Sequence, residues 1–299
     1  MSDPMRLFDR AAHRRHRDRA AATVDYVTPI LRDAAERLLD RLDDTTHRFT
    51  QALDIGGRGI VAPLLRARGT QVVSCDFSPA MAARNPTPVV AADEEFLPFG
   101  PHSFDLIVAS LSLHWVNDLP GALIQLRRAL RPDGFFLASL PAAGTLGELR
   151  AALTETEASL TGGAAPRIAP FPDLRDCAGL LQRAGFALPV ADVADIRLLY
   201  ANPIDLLRDL RAAGETNALR LRHRSIPPAP LFPAALAAMP RDGDRTPATL
   251  RLAIMTGWAP ASSQPQPLKP GSGQISLTKV LGADVWGTDV SRDGGQKSD

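Results

Sequence analysis

Lysine is almost missing from this chain: Lys269, Lys279 and Lys297 stand against 31 arginines in 299 residues. Cysteine is scarce too. Cys75 and Cys177 alone supply neither a disulfide framework nor a thiolate zinc site. No apolar run approaches the ~20 residues that a membrane span needs. Neither sign of charge is in excess, with 34 Lys+Arg, 33 Asp+Glu and a formal net charge of +1. That balance argues against a general nucleic-acid binder, which carries a clear basic surplus. Heavy use of alanine, arginine and proline is what a GC-rich coding sequence produces. What is present is an apolar fraction of 45%. A chain of this length buries roughly 75% of its unfolded surface, which predicts a soluble, intracellular globular protein of one large domain or two small ones.

The N-terminus is arginine-rich, with Arg6, Arg10, Arg14, Arg15, Arg17 and Arg19. Asp3, Asp9 and Asp18 interrupt the run, which does not suit an acid-poor transit peptide, and no apolar core of a secretion signal is present. The stretch 9–22 reads as a polar, solvated helix, a candidate lid. Val27, Ile30, Leu31, Leu38 and Leu39 then give 24–42 an amphipathic helical pattern.

From Gln51 the texture changes to short apolar strands alternating with helices. Gln51–Ile55, Val72–Cys75, Pro88–Ala91, Phe104–Ala109 and Phe135–Ala138 read as strands. Helices fit 60–68, the Ser78-Pro79 start and 119–130, with a turn at Arg131-Pro132-Asp133-Gly134. The alternation predicts βαβ units and a buried parallel sheet, with function in the loops at the carboxyl ends of the strands. Further on, helices are expected at 145–160, 173–184, 203–213 and 247–257, with a strand near 187–199. Proline-rich 226–233 and 260–270 read as connectors. No internal repeat occurs.

Three strand ends carry acids. The first leads into Asp54-Ile55-Gly56-Gly57-Arg58-Gly59. Glycines let a backbone approach a ligand, and an acid there would repel a pyrophosphate but suit a cationic amino group. The second ends in Asp76, 22 positions after Asp54. It is placed to accept both ribose hydroxyls of a nucleoside, with Phe77 beside it for an adenine. The third runs into Asp93-Glu94-Glu95, and Asp93 is a natural acceptor for an exocyclic adenine amine. Taken singly, each acid also fits an ordinary solvated loop; the joint signal is the stronger one.

This organisation resembles the class I S-adenosylmethionine-dependent methyltransferases over about residues 45–200. The resemblance implies a Rossmann-like α/β fold with a seven-stranded, mostly parallel sheet, helices on both faces and one antiparallel strand. It implies S-adenosyl-L-methionine as cofactor, with Asp54, Gly56, Gly57 and Gly59 near its methionine part, Asp76 and Phe77 at the nucleoside, and Asp93 with Glu94 at the adenine. Ser110, ending the fourth strand, joins that set.

Phe8-Asp9-Arg10, Asp93–Phe99, Ser110–Pro120, Thr145–Arg150, Arg183–Phe186, Ala248-Thr249 and Gly257-Trp258 are similar to the mitochondrial complex I assembly factor 5 family and its alphaproteobacterial relatives. The biotin-pathway malonyl-carrier-protein methyltransferases are similar over the sheet domain. The first family implies a protein substrate, a complex I subunit, and an arginine hydroxylase on a methyltransferase fold. Four activities therefore stand open: protein methyl transfer, as the main reading; arginine hydroxylation; a non-catalytic assembly chaperone; and a small-molecule or carrier-protein methyltransferase. The expected location is the bacterial cytoplasm, peripheral to the inner membrane. One departure from the family pattern is a glycine loop one residue short.

Methyl transfer rests on alignment, helped by a base where the nucleophile must lose a proton. His114 is the candidate catalytic residue, weighed against a structural, hydrogen-bonded histidine, and Trp115 reads as packing. His16-Arg17-Asp18 is the one His-x-Asp, in a charged helix, and no metal site is assigned. Arg220–Arg224 reads as a solvated basic face. The expected organisation is lid helices over 1–44, the methyltransferase domain over 45–200, a helical extension over 201–283 and a disordered tail over 284–299.

Overall fold

In a computed structural model, which describes residues 6–265, a seven-stranded sheet forms the centre of the protein. Its strands are β1 (Gln51–Ile55), β2 (Gln71–Asp76), β3 (Val89–Ala91), β4 (Phe104–Ser110), β5 (Leu130–Pro141), β6 (Ala187–Tyr200) and β7 (Thr246–Trp258). The order is β3-β2-β1-β4-β5-β7-β6. β1 to β5 pair in parallel, while β7 runs antiparallel to both β5 and β6. The class I methyltransferase architecture expected from the sequence is therefore present.

Side-chain alternation sorts the sheet into two cores. On one face Ala52, Val72, Leu106, Val108 and Leu137 meet α2 (Thr28–Leu39) and α3 (Val61–Ala67). On the other Leu53, Ile55, Ile107, Ala109 and Phe136 meet α5 (Leu119–Ala129) and α7 (Leu174–Arg183). Asp118 and Asp173 cap α5 and α7 by accepting from Gly121 and Asp176 amides. Strands buried on both faces read as apolar runs, and their shortness, with glycine or acid at their ends, is what made β1 to β3 legible.

Several expectations need correction. Residues 247–257 form β7, not a helix, and β7 lies between β5 and β6. The described part of the region 201–283, residues 201–265, is thus not a helical extension outside the sheet, and the remainder lies outside the described residues. The described part supplies a sheet strand, preceded by an insertion of α8 (Ile204–Ala212) and α9 (Leu231–Ala238) between β6 and β7. α9 begins inside the proline-rich stretch read as a connector; Pro233 falls in its first turn, where the missing N–H costs nothing. The turn at Arg131–Gly134 is absorbed into β5, with Asp133 at φ 63°. α8 and α9 pack on α6 (Gly147–Thr161) through Leu149, Leu153, Leu206 and Leu236. The tail expected at 284–299 lies outside the described residues.

The N-terminal helix α1 (Arg10–Ala20) is capped by Asp9, whose Oδ1 accepts from the Ala12 amide. Phe8 pairs with Leu219, and the Asp9 amide donates to the Ala218 carbonyl at 2.7 Å. These bonds moor α1 across the carboxyl ends of the strands. Among the described residues no helix is long and apolar enough to cross a membrane.

Candidate active site

The strand order reverses between β1 and β4, and the loops after these strands open the crevice typical of such sheets. After β1 the backbone turns through Gly56 at φ 66° and Gly59 at φ 80°. A side chain on Gly57 would put its Cβ 2.2 Å from Asp54 Oδ1, and one on Gly56 would lie 2.4 Å from Ser112 Cβ. Glycine is required at both positions by space alone.

Asp54 is fully buried, and neither of its oxygens has a hydrogen-bond partner. Burial, and next the charge of Asp76, push its carboxyl up to about 7. The amides of Ala62 and Gly57 and the Ser74 hydroxyl oppose this but fall outside hydrogen-bonding geometry. A buried acid without a partner beside a glycine turn can hold a cationic group.

The other acids are already engaged, by α1. Arg17 is 1% exposed and forks onto Asp76, Nε donating to Oδ1 at 3.1 Å and Nη2 to Oδ2. The Ser78 amide also donates to Asp76 Oδ1, at 2.9 Å. Arg10 donates to both Asp93 and Glu94 and lies over the Phe77 ring, 4.1 Å from its centroid. Between them His13 stacks 6.0 Å from Phe77 and 5.3 Å from Trp115, with both ring nitrogens buried and unpartnered. Arg10, His13 and Arg17 are spaced i, i+3, i+7, one face of a helix. The solvated helix expected here has instead a buried polar face.

Electrostatics follows from that burial. Burial, followed by the neighbouring Arg17 charge, holds His13 well below the usual histidine range. Burial would lower Arg17, but the charge and hydrogen bond of Asp76 raise it. Burial raises Glu94, against the pull of Arg10.

A second buried network lies beyond the β4 loop. Glu215, in the segment after α8, accepts from Arg58 Nη2 at 2.5 Å, from His114 Nε2 at 2.8 Å and from Trp115 Nε1 at 2.7 Å. Arg58 also donates to the Leu111 carbonyl at 3.0 Å. Burial would raise Glu215, but the charge and hydrogen bond of His114, and then Arg58, hold it well below the usual carboxylate range. Burial, then Arg17, brings Arg58 down to about 10. Arg58, His114, Trp115 and Glu215 are among the residues that line a chamber of about 540 Å³, whose wall is largely apolar with leucine the commonest side chain.

Asp54, Gly56, Gly57, Gly59, Asp76, Phe77, Asp93, Glu94, Ser110 and His114 thus sit on the carboxyl ends of β1 to β4 or the loops that follow them. Arg10, His13, Arg17, Arg58 and Glu215 were missed as site residues. The α1 spacing held a signal for the first three; nothing around Glu215 did. His16 and Asp18 turn to different partners, the Thr216 carbonyl and the Ser78 hydroxyl. Arg222 pairs with Asp9 at 2.9 Å and so is not purely solvated. Among the described residues no group of three His, Cys, Asp or Glu side chains could hold a metal ion.

The unpartnered Asp54 carboxyl, the side-chain-intolerant glycine turn and the acids of the next two strand ends suit an aminoacyl nucleoside cofactor. A family model described as a methyltransferase domain matches residues 53–138. YcgJ from Bacillus subtilis shares the fold, with a TM-score of 0.52 at 16% identity, covering 76% of this chain and 99% of that one. "Malonyl-[acyl-carrier protein] O-methyltransferase" of Methylovorus sp. is 34% identical, over 85% of this chain and 90% of its own length. "Arginine-hydroxylase NDUFAF5, mitochondrial" of Danio rerio is 35% identical over 288 residues, 92% of this chain and 90% of its own. The cofactor that goes with this fold is S-adenosyl-L-methionine. At this identity and coverage the chain belongs to the NDUFAF5 family, built on the S-adenosylmethionine-dependent methyltransferase fold.

Proposed function

We propose that this protein is an S-adenosylmethionine-dependent enzyme that modifies a protein substrate, a subunit of respiratory complex I during assembly. The observation that carries the cofactor half of this reading is the buried, unpartnered Asp54 beside the glycine turn. Asp54 and Gly56–Gly59 would hold the methionine part, Asp76 the ribose hydroxyls, and Asp93 with Glu94 the adenine amine. Phe77 and Ser110 would line the same crevice. The bound cofactor supplies an electrophilic methyl group.

The chain's own part is positioning and proton handling. With Arg17 and the Ser78 amide on it, Asp76 has little acceptor capacity left, so the ribose must take the place of Arg17. Cofactor loading therefore involves movement of α1. His114, in its neutral form, is the proton acceptor, and Glu215 fixes its ring by taking the Nε2 hydrogen bond. α1 and the chamber wall exclude water.

The arginine-hydroxylase name of the relatives favours a second reading, hydroxylation of an arginine side chain on the same fold. A cytoplasmic position, peripheral to the inner membrane, goes with either. The test is a deletion strain followed by mass spectrometry of complex I subunits. Loss of a methyl group is the expected result. Loss of one oxygen establishes the hydroxylase, and loss of neither refutes both in favour of an assembly chaperone. Rescue of biotin auxotrophy would instead mark a carrier-protein methyltransferase.

A further inference from the structure

The two edges of the sheet are finished differently. β3, at one end, is three residues long and follows Pro86 and Pro88, a short, proline-marked edge that discourages further pairing. β6, at the other end, runs for 14 residues, against about 5–6 for a usual strand. Among the described residues it pairs with β7 alone. A bulge and Pro189 interrupt its pairing only before Val190. From there to Tyr200 the register on β7 is unbroken, so the outer side presents a regular row of amides and carbonyls. The Val193 amide turns to the side chain of its own neighbour, Asp192 Oδ1, at 2.7 Å.

Charges on an edge strand normally keep a second strand away. Here their order has the opposite effect. Val193, Asp195, Arg197 and Leu199 share one face of β6, and all four are exposed. A second copy running antiparallel about Ile196 sets Asp195 against Arg197 twice, with Val193 against Leu199 on either side. On the opposite face Ala194 meets Leu198, and Ile196 meets itself. Moving the two-fold axis by one residue places Asp195 on Asp195, or Arg197 on Arg197. Opposite charges across a strand pair stabilise it and like charges destabilise it, so one register is favoured. Within its own chain Asp195 accepts from Arg251 Nε at 2.8 Å, and Arg197 Nη2 donates to Asp242 at 2.9 Å. The cross-strand pairs extend these into a row of alternating sign, Arg251, Asp195, Arg197 and Asp242.

We propose that the outer edge of β6 pairs antiparallel with β6 of a second copy of this chain, about a two-fold axis at Ile196, joining two seven-stranded sheets into one. The surface is self-complementary, as a two-fold interface requires. β5 and β7 separate this edge from the crevice at β1 and β4, and the inference does not rest on the cofactor assignment.

Sedimentation velocity on the full chain tests it. The expected species at about 100 μM is a dimer that dissociates on dilution. Arg197→Asp leaves only acids in the charged row, and Asp195→Arg leaves only bases. Each variant alone is expected to weaken the dimer at least about tenfold. Mixed in equal amounts the two associate again, because the acids of one chain then face the bases of the other. Should either fail to fold, Leu199→Glu and Val193→Lys form a second such pair, each weakened alone and restored on mixing. A wild-type monomer at about 100 μM overturns the proposal, whether the edge is bare or covered by residues beyond 265. So does a dimer that a folded single variant leaves unchanged, or a mixture that associates no better than its components.

Discussion

The guanidinium of Arg17 and the carboxylate of Asp76 form a buried, forked ion pair between α1 and the end of β2. Arg17 is 1% exposed, and its third nitrogen, Nη1, is buried without a partner. The pair joins the lid to the residue best placed for a ribose. Arg17→Met leaves Asp76 charged and unpaired next to Asp54, at a cost of roughly 3–5 kcal/mol. It also removes the competitor for the ribose. Urea unfolding is expected to show that loss, while S-adenosylmethionine raises the melting temperature of the variant more than that of the wild type.

Asp54 predicts a pH dependence of opposite sign for stability and binding. Its folded pKa of about 7 lies above the ordinary aspartate value of 3.8. The contribution to stability is therefore fully present below about 3.8 and is lost as pH rises through 7, up to roughly 4 kcal/mol. Asp54→Asn abolishes this dependence, so unfolding at pH 8 should find the variant more stable than the wild type. A cation on Asp54 prefers the ionised acid, so wild-type cofactor affinity should climb as pH rises towards 7 and level off above it. The Asn variant should lose that slope.

Glu215 joins three donors from two loops, and its loss exposes a charge imbalance. Glu215→Met alone leaves the buried Arg58 unpaired and is expected to cost roughly 3–5 kcal/mol. Adding Arg58→Met should restore much of the loss, because two apolar side chains can replace a buried pair at little cost. A double-mutant cycle by urea unfolding measures the coupling; additive losses would show that the two do not act as a pair.

How far the sequence disclosed this arrangement follows from periodicity and charge. β1, β2 and β3 were legible because they are short apolar runs punctuated by glycine or acid, and Asp54, Asp76 and Asp93 marked their ends. β7 was not. Thr246–Trp258 is rich in Ala, Leu, Ile and Met, and a strand buried on both faces has no period of two to set it apart from a helix. The buried face of α1 was hidden because arginine and histidine usually mark solvent, and only the acids across the crevice make Arg10 and Arg17 internal. Glu215 carried no local signal, since its partners lie about a hundred residues or more away in sequence.

The placement of β7 has a direct energetic consequence. Leu252 is fully buried and registers with Pro141 of β5 and Ala194 of β6. Leu252→Ala should cost roughly 2–5 kcal/mol, as for a core leucine. A cost below about 0.5 kcal/mol would be that of a surface position and would put 246–258 outside the sheet.

Titration calorimetry of S-adenosylmethionine into wild type and Asp76→Ala tests the cofactor site most directly. The predicted result is one molecule per wild-type chain, with affinity reduced at least about tenfold in Asp76→Ala, the equivalent of about 1.4 kcal/mol. No binding by the wild type, or binding that Asp76→Ala leaves unchanged, would contradict the assignment of this crevice to the cofactor.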